Sequence, residues 1–253
     1  MGDGIHLPAM SQAVSRLQEE TFIWIAGEMF VPTCEGALWW PAQKTLIVSD
    51  LHLEKGSSYA QRGQLLPPYD TASTLQMVEA LAARFVPVRI ISLGDSFHDR
   101  ASEERLSNKD CVRIRALTAK YDWHWVEGNH DPAPPAHLGG RGTHALGIGS
   151  CVFRHEPTGA VGEIAGHLHP VVKIGGRGRS VRRKCFVTDG DSLIMPSLGT
   201  LTGGLNALDP VVAACFTSRP MHFASSGPGV RFVDRATLLP DRRGYAGGSG
   251  WRL

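Results

Sequence analysis

Four apolar runs in this chain each stop at a short polar signature. Thr45 to Ser49 leads into Asp50-Leu51-His52, and Val88 to Leu93 into Gly94-Asp95. Trp123 to Glu127 leads into Gly128-Asn129-His130-Asp131, and Val161 to Ala165 into Gly166-His167-Leu168-His169. Runs of this length and composition read as buried strands. Between the first two lies a helical pattern: Asp70 caps its start, Leu75, Val78, Leu81 and Phe85 share a face, and Pro87 closes it. A second helix runs through Leu106, Ile114, Leu117 and Tyr121. Alternating strands and helices, with roughly 35 to 45 residues between successive early motifs, build a right-handed parallel βαβ sheet. Loops leaving the carboxyl ends of such strands form the binding crevice, so an α/β fold with the four motifs gathered along one sheet edge is expected.

After Gly142 the character changes. Short apolar runs at Ala145 to Phe153, Val171 to Ile174, Cys185 to Thr188, Ser192 to Met195 and Val211 to Phe216 are separated by Gly, Pro and Asp, which predicts a second, mainly antiparallel sheet. Gly175 to Lys184 carries five basic residues among glycines and reads as an exposed hairpin tip or loop. Two uses are open to it, a solvated loop or a surface that meets phosphates. Residues 1–243 are expected to form one domain, with 244–253 a flexible glycine-rich tail.

The formal charge of +2 is too small for bulk attraction to a polyanion, so any nucleic-acid contact must come from a local patch. Cys34, Cys111, Cys151, Cys185 and Cys215 are odd in number and form no CxxC pair, which argues against a disulfide framework and a thiolate zinc site. A cytoplasmic setting is expected. There is no basic and apolar leader, and no run nears the roughly 20 apolar residues of a membrane span.

The polar signatures supply carboxylate, amide and imidazole donors, a set suited to manganese, iron or zinc. Asp50 and His52 alternate on what reads as an extended segment, so both point to one side and chelate one ion. Asp95, directly after a glycine, is placed to bridge two ions. Asn129 is a neutral ligand that limits negative charge where an anionic phosphate must bind. His167 and His169 each offer an imidazole to a different ion. A further histidine is needed, from His137, His144 or His155. His155 is chosen because it follows the apolar run Ser150 to Phe153, whereas the other two sit in Gly/Pro-rich sequence.

Two metals about 3.5 to 4 Å apart can bind a phosphate ester, activate water and stabilise the charge of in-line attack. His130, beside Asn129, is placed to protonate the leaving oxygen, with Asp131 orienting its ring or bracing the loop. A third metal ligand or a hydrogen-bond donor behind the ligands is the alternative role for His130. His98 reads more readily as a loop-fixing hydrogen-bond partner than as a substrate contact. Arg62 and Arg100 are left outside the site, and His6, His124 and His222 are taken as structural or surface residues.

The ordered set DLH, GD, GNHD, a lone His and GHLH resembles the calcineurin-like metallophosphoesterase superfamily, over roughly Leu46 to Pro170. That resemblance implies a two-sheet α/β/β/α sandwich flanked by helices. It implies Asp50, His52, Asp95 and His169 on one ion and Asp95, Asn129, His155 and His167 on the other. Glu54 to Ala60, Leu65 to Thr71, Gly94 to Asp99, Arg154 to Pro157 and Thr202 to Pro210 are similar, more particularly, to the bacterial ligase-associated DNA damage response endonucleases. Membership of that branch implies a manganese-dependent phosphodiesterase acting on DNA in repair, alongside an ATP-dependent ligase and a helicase. A phosphomonoesterase, a cyclic-nucleotide phosphodiesterase and a noncatalytic partner-binding scaffold are the competing readings.

Overall fold

The period-2 pattern of the apolar runs sorts their side chains between two faces. Leu46 and Val48 lie under the helices, while Ile47 between them faces a second sheet. The computed structural model describes residues 21–133, 135–176 and 179–241. His6 and the glycine-rich tail lie outside the described residues.

The first sheet has the order β1 (Ile23–Ile25), β2 (Glu28–Pro32), β3 (Leu38–Trp40), β4 (Thr45–Val48), β5 (Arg89–Leu93), β6 (Asp122–Val126) and β7 (Arg141–Thr143). β1 to β4 pair antiparallel, and β4 to β7 pair parallel. The parallel part matches the expected βαβ order. The antiparallel N-terminal strands were not anticipated.

The second sheet joins β8 (Leu146–Ile148), β9 (Cys151–Arg154), β10 (Glu163–Ala165), β13 (Leu193–Ile194), β12 (Arg179–Thr188), β14 (Met221–Ser226) and β15 (Gly229–Val233), with β11 (Val171–Gly176) paired to β12. It is mainly antiparallel, but β10 runs parallel to both β9 and β13. One expected strand is a helix. Val211 to Phe216 begins as a single α-turn, Pro210–Ala213, because the Asp209 carboxylate accepts the Val211 N–H and Pro210 takes the first helical position.

Two longer helices cover the outer face of the first sheet. The first, Asp70–Phe85, buries Leu75, Val78 and Leu81. Asp70 is its first residue and not its cap: the carboxylate instead accepts the Gly56 N–H at 2.9 Å. The second, Asn108–Lys120, starts after Ser107, whose hydroxyl accepts the Asp110 N–H at 3.1 Å. Leu106 therefore precedes it, closing the short helix Ser102–Arg105. Between the sheets, Ile47, Ile91, Leu93 and Val126 meet Phe153, Ile164, Phe186 and Met195. A smaller cluster around Val172, Cys185 and Val212 lies under the one-turn helix. The layers are thus α/β/β/α with a thin outer α layer.

The five cysteines are free thiols. Among the described residues no helix is long and apolar enough to cross a membrane.

Candidate metal centre

β4, β5 and β6 end side by side in the first sheet, while β10 brings the fourth motif against them from the second sheet and not along the one sheet edge expected. The chain bends sharply as it leaves them. Asp50, His52, Asp95, His167 and His169 all have φ between 45° and 69°, in the left-handed region that residues with a Cβ rarely adopt. The expected extended alternation of Asp50 and His52 is therefore incorrect. The two residues share a side because the segment is bent over the neighbouring loop: His52 N–H donates to the Asp95 carbonyl and Leu53 N–H to that of Ser96, each at 2.9 Å. Left-handed backbone at so many candidate ligands is conformational cost concentrated at one place, of order 1 kcal/mol or more per residue.

Two glycines permit the close approach. A Cβ at Gly128 would collide with the Asp95 backbone N and the carboxylates of Asp95 and Asp131, and one at Gly166 would strike Ser49 Oγ and the Asp50 carboxylate.

The structure gathers donor atoms into two groups, Asp50, His52 and His169 in one and Asp95, His155 and His167 in the other. Asp95 lies between them: Oδ2 is 3.8 Å from His52 Nε2, and Oδ1 is 3.4 Å from His155 Nε2. Asn129 joins the second group, its Oδ1 2.8 Å from His155 Nε2 and 3.1 Å from His167 Nδ1. His137 and His144 lie elsewhere, beside Glu103 and Glu127.

The hydrogen bonds behind these groups fix which atoms face inward. His155 Nδ1 is 2.9 Å from the Leu93 carbonyl and His169 Nδ1 is 3.3 Å from that of Gly203. Each ring gives its Nδ1–H to a carbonyl and turns Nε2 to the site, the arrangement common to metal-binding imidazoles. Asp50 Oδ2 accepts from the Ser49 hydroxyl and the His167 N–H, leaving Oδ1 buried, without a donor and 2.9 Å from His169 Nε2. Acceptors this close repel unless a cation or proton lies between them, so both groups fit divalent cations.

The electrostatics agree. Burial would raise Asp50, yet the histidines around it, His169 first, hold it well below the usual carboxylate range. Burial brings His52 down to about 3, keeping it a neutral donor. His155 is pushed down by burial but carried to about 9 by its hydrogen bond to Asp95 and the charges of Asp50 and Asp95. It therefore holds a proton that a bound cation would displace.

His130 stands at the rim, its side chain 37% exposed and Nε2 3.9 Å from Asp95 Oδ2. Its Nδ1 donates to the His98 carbonyl at 2.8 Å, and the two rings stack with centroids 5.5 Å apart. Asp131 braces the loop and does not orient His130: its Oδ2 accepts the Ser96 and Phe97 N–H groups at 2.9 and 3.1 Å. Burial, reinforced by Asp95, raises Asp131 to about 7. The backbone of His98 ties the loop, its N–H donating to the Leu53 carbonyl. Its ring Nδ1 is buried with no hydrogen-bond partner among the described residues, so the loop-fixing bond expected of the side chain is not there. Arg100 lines a separate cavity with Phe97, Asp99, Glu103 and Pro132. His124 lies 3.2 Å from Asp122, and His222 is buried in β14.

Sequence reasoning missed Ser49 and the carbonyls of Leu93 and Gly203, which orient the inward-facing groups. Ser49 was visible as the polar end of a strand run. The carbonyls carry no residue-type signal.

Among curated proteins none matches the chain. The crystal structure of Pseudomonas putida nuclease MPE is similar at 24% sequence identity and a TM-score of 0.65, covering 85% of this chain and 100% of that one, a likeness of fold. Yfce, a phosphoesterase from E. coli, aligns at 13% identity and a TM-score of 0.36 over 72% of this chain and 88% of its own, too little to argue from. The profile of the calcineurin-like phosphoesterase family matches residues 43–198, more than half the chain and the stretch that holds every strand end described above. With that match and the two groups of donors beneath it, the chain belongs to the calcineurin-like phosphoesterases and is a metal-dependent phosphoester hydrolase.

Proposed function

We propose that this hydrolase cleaves phosphodiester bonds in DNA. Asp50, His52, Asp95 and His169 hold one divalent cation, and Asp95, Asn129, His155 and His167 hold the other. The observation that carries the reading is Asp95, a single buried carboxylate set between two groups of inward-facing imidazoles. The cations supply Lewis acidity, activating water and neutralising phosphate charge.

The chain's own residues do the rest. Asn129 contributes an oxygen without charge, so the centre keeps its attraction for an anionic ester. His130 is the general acid: the His98 carbonyl holds its Nδ1–H and directs Nε2 to the open side, where a leaving oxygen takes the proton. Ser49 holds Asp50 in place.

Manganese is the assigned ion, with iron and zinc compatible with the same donors. The similarity to ligase-associated endonucleases around Glu54 to Ala60 and Thr202 to Pro210 supports DNA as substrate, as does the likeness of fold to the P. putida nuclease. On this reading residues 1–243 form one cytoplasmic repair domain working with an ATP-dependent ligase and a helicase. The test is elemental analysis followed by metal reconstitution and turnover of bis-p-nitrophenyl phosphate, p-nitrophenyl phosphate and a DNA strand. About two ions per chain, and cleavage of the diester and of DNA ahead of the monoester, are expected. Turnover of the monoester alone would defeat the DNA reading.

A further inference from the structure

The basic stretch expected as an exposed hairpin tip or loop belongs to a hairpin, most of it paired strand. β11 and β12 match residue for residue from Val171↔Lys184 to Gly176↔Arg179. The rest of the second sheet meets β12 only through Cys185 to Thr188. The preceding half of β12 has β11 as its strand partner among the described residues, and β11 is backed by Leu238 and Leu239 through the Ile174↔Leu238 bridge and the Leu239 N–H to the Lys173 carbonyl. The pair extends past the sheet as an arm whose base rests on Leu238 and Leu239, with Arg179 to Arg183 exposed along it.

The arm begins at the metal centre. β11 starts two residues after His169, and Arg182 Nη2 donates at 2.9 Å to the carbonyl of Gly204, which packs on the backbone of His169. The second nitrogen of Arg182 meets Asp241 at 2.7 Å, the one carboxylate ion-paired to the arm among the described residues. Lys173 lies directly across from Arg182, and like charges so placed destabilise a strand pair. Lys184 is spent internally, donating to the carbonyls of Glu35 and Leu198. Lys173 shares the charge of Asp241 with Arg182, whereas Arg179 and Arg183 are exposed cations with no acidic partner among the described residues. In a chain whose formal charge is only +2, this is a local concentration that the fold does not use.

We propose that the β11–β12 arm is a track for the DNA strand leaving the metal centre, with Arg179 and Arg183, which share one face of β12, meeting backbone phosphates beyond the scissile one. The proposal rests on the DNA-cleaving reading above. Strand rise of about 3.4 Å per residue puts Arg179 roughly 17 Å from Lys184, room for several phosphates. Contacts to the backbone carry no base information, so the arm would raise affinity for any sequence.

The test is binding of manganese-loaded protein to a labelled, hydrolysis-resistant phosphorothioate single strand across a salt series. The pair Arg179→Ala/Arg183→Ala should flatten the plot of log affinity against log salt by about 1.4, roughly 0.7 for each lost phosphate contact on a single strand. The corresponding double Lys variant, which keeps the charges, should retain the slope. The ratio of kcat/KM on DNA to that on bis-p-nitrophenyl phosphate should fall in the Ala pair. An unchanged slope in the Ala pair, with wild-type protein binding and cutting DNA, overturns the arm and leaves the proposed function standing. Wild-type protein that shows no salt-dependent DNA binding overturns both.

Discussion

Replacing His130 by Ala separates proton transfer from everything else the residue does. The backbone N–H of His130 donates to Asp95 Oδ1 at 2.9 Å and survives the substitution. The Nδ1 bond to the His98 carbonyl, the stack on its ring and an edge contact with the His52 ring are lost. For a half-exposed ring, one neutral hydrogen bond costs about 1 kcal/mol of stability, too little to unfold the chain. Loss of a positioned general acid removes about 10²- to 10⁴-fold in rate, which is about 3 to 5 kcal/mol of barrier. That loss depends on the leaving group. A DNA alkoxide needs a proton as the bond breaks, whereas p-nitrophenolate leaves without one. His130→Ala should therefore lose about 10²-fold or more on a DNA strand, with a much smaller loss on bis-p-nitrophenyl phosphate, while binding the same number of ions. Steady-state kinetics on both substrates with parallel elemental analysis reads all three quantities. Equal losses on the two substrates would show that His130 acts through charge or position and not as the acid. A missing ion would make it a ligand.

Gly128→Ala places a methyl against the Asp95 backbone and two carboxylates. It should lower stability by about 1 to 3 kcal/mol and reduce bound metal, read by thermal melting and elemental analysis. Wild-type melting with full metal content would show that the loops are looser than drawn. Lys184 gives a pH signature, because burial depresses its ammonium from 10.5 to about 8. The unfolded chain keeps that proton up to about pH 10.5 and the folded chain loses it near pH 8. The group's stabilising contribution is thus full above about 10.5 and lost as pH falls to about 8, a swing of about 3 kcal/mol. Denaturant titrations of wild type and Lys184→Met should show that slope only in the wild type, and parallel pH profiles would refute it.

The contrast between what the sequence disclosed and what it hid follows the kind of atom involved. Strand ends were readable because apolar runs stop where polar motifs begin, and His155 stood out from His137 and His144 for the same reason. The identities of Asp50, Asp95, Asn129 and the histidines were readable because their chemistry lies in their side chains. Val211 to Phe216 was misread although the local signal was present, since Asp209 followed by Pro210 opens a helix whatever the hydropathy of the residues after it. The three-residue strands Ile23–Ile25 and Leu38–Trp40 are too short for a period to emerge, and their pairing comes from neighbours. The bend at Asp50 and His52 was hidden for a deeper reason. An Asp-Leu-His segment after a strand would continue extended by local preference, and it takes up left-handed backbone because its N–H groups are claimed by the Asp95 and Ser96 carbonyls of another loop. The same holds for the tautomers of His155 and His169, set by the Leu93 and Gly203 carbonyls, atoms that every residue type supplies. The sequence therefore names the donors, but the path of the backbone decides which lone pairs converge. Substitutions that leave every candidate ligand in place, at Gly128 or Gly166, are accordingly as able to disable the centre as loss of a ligand itself.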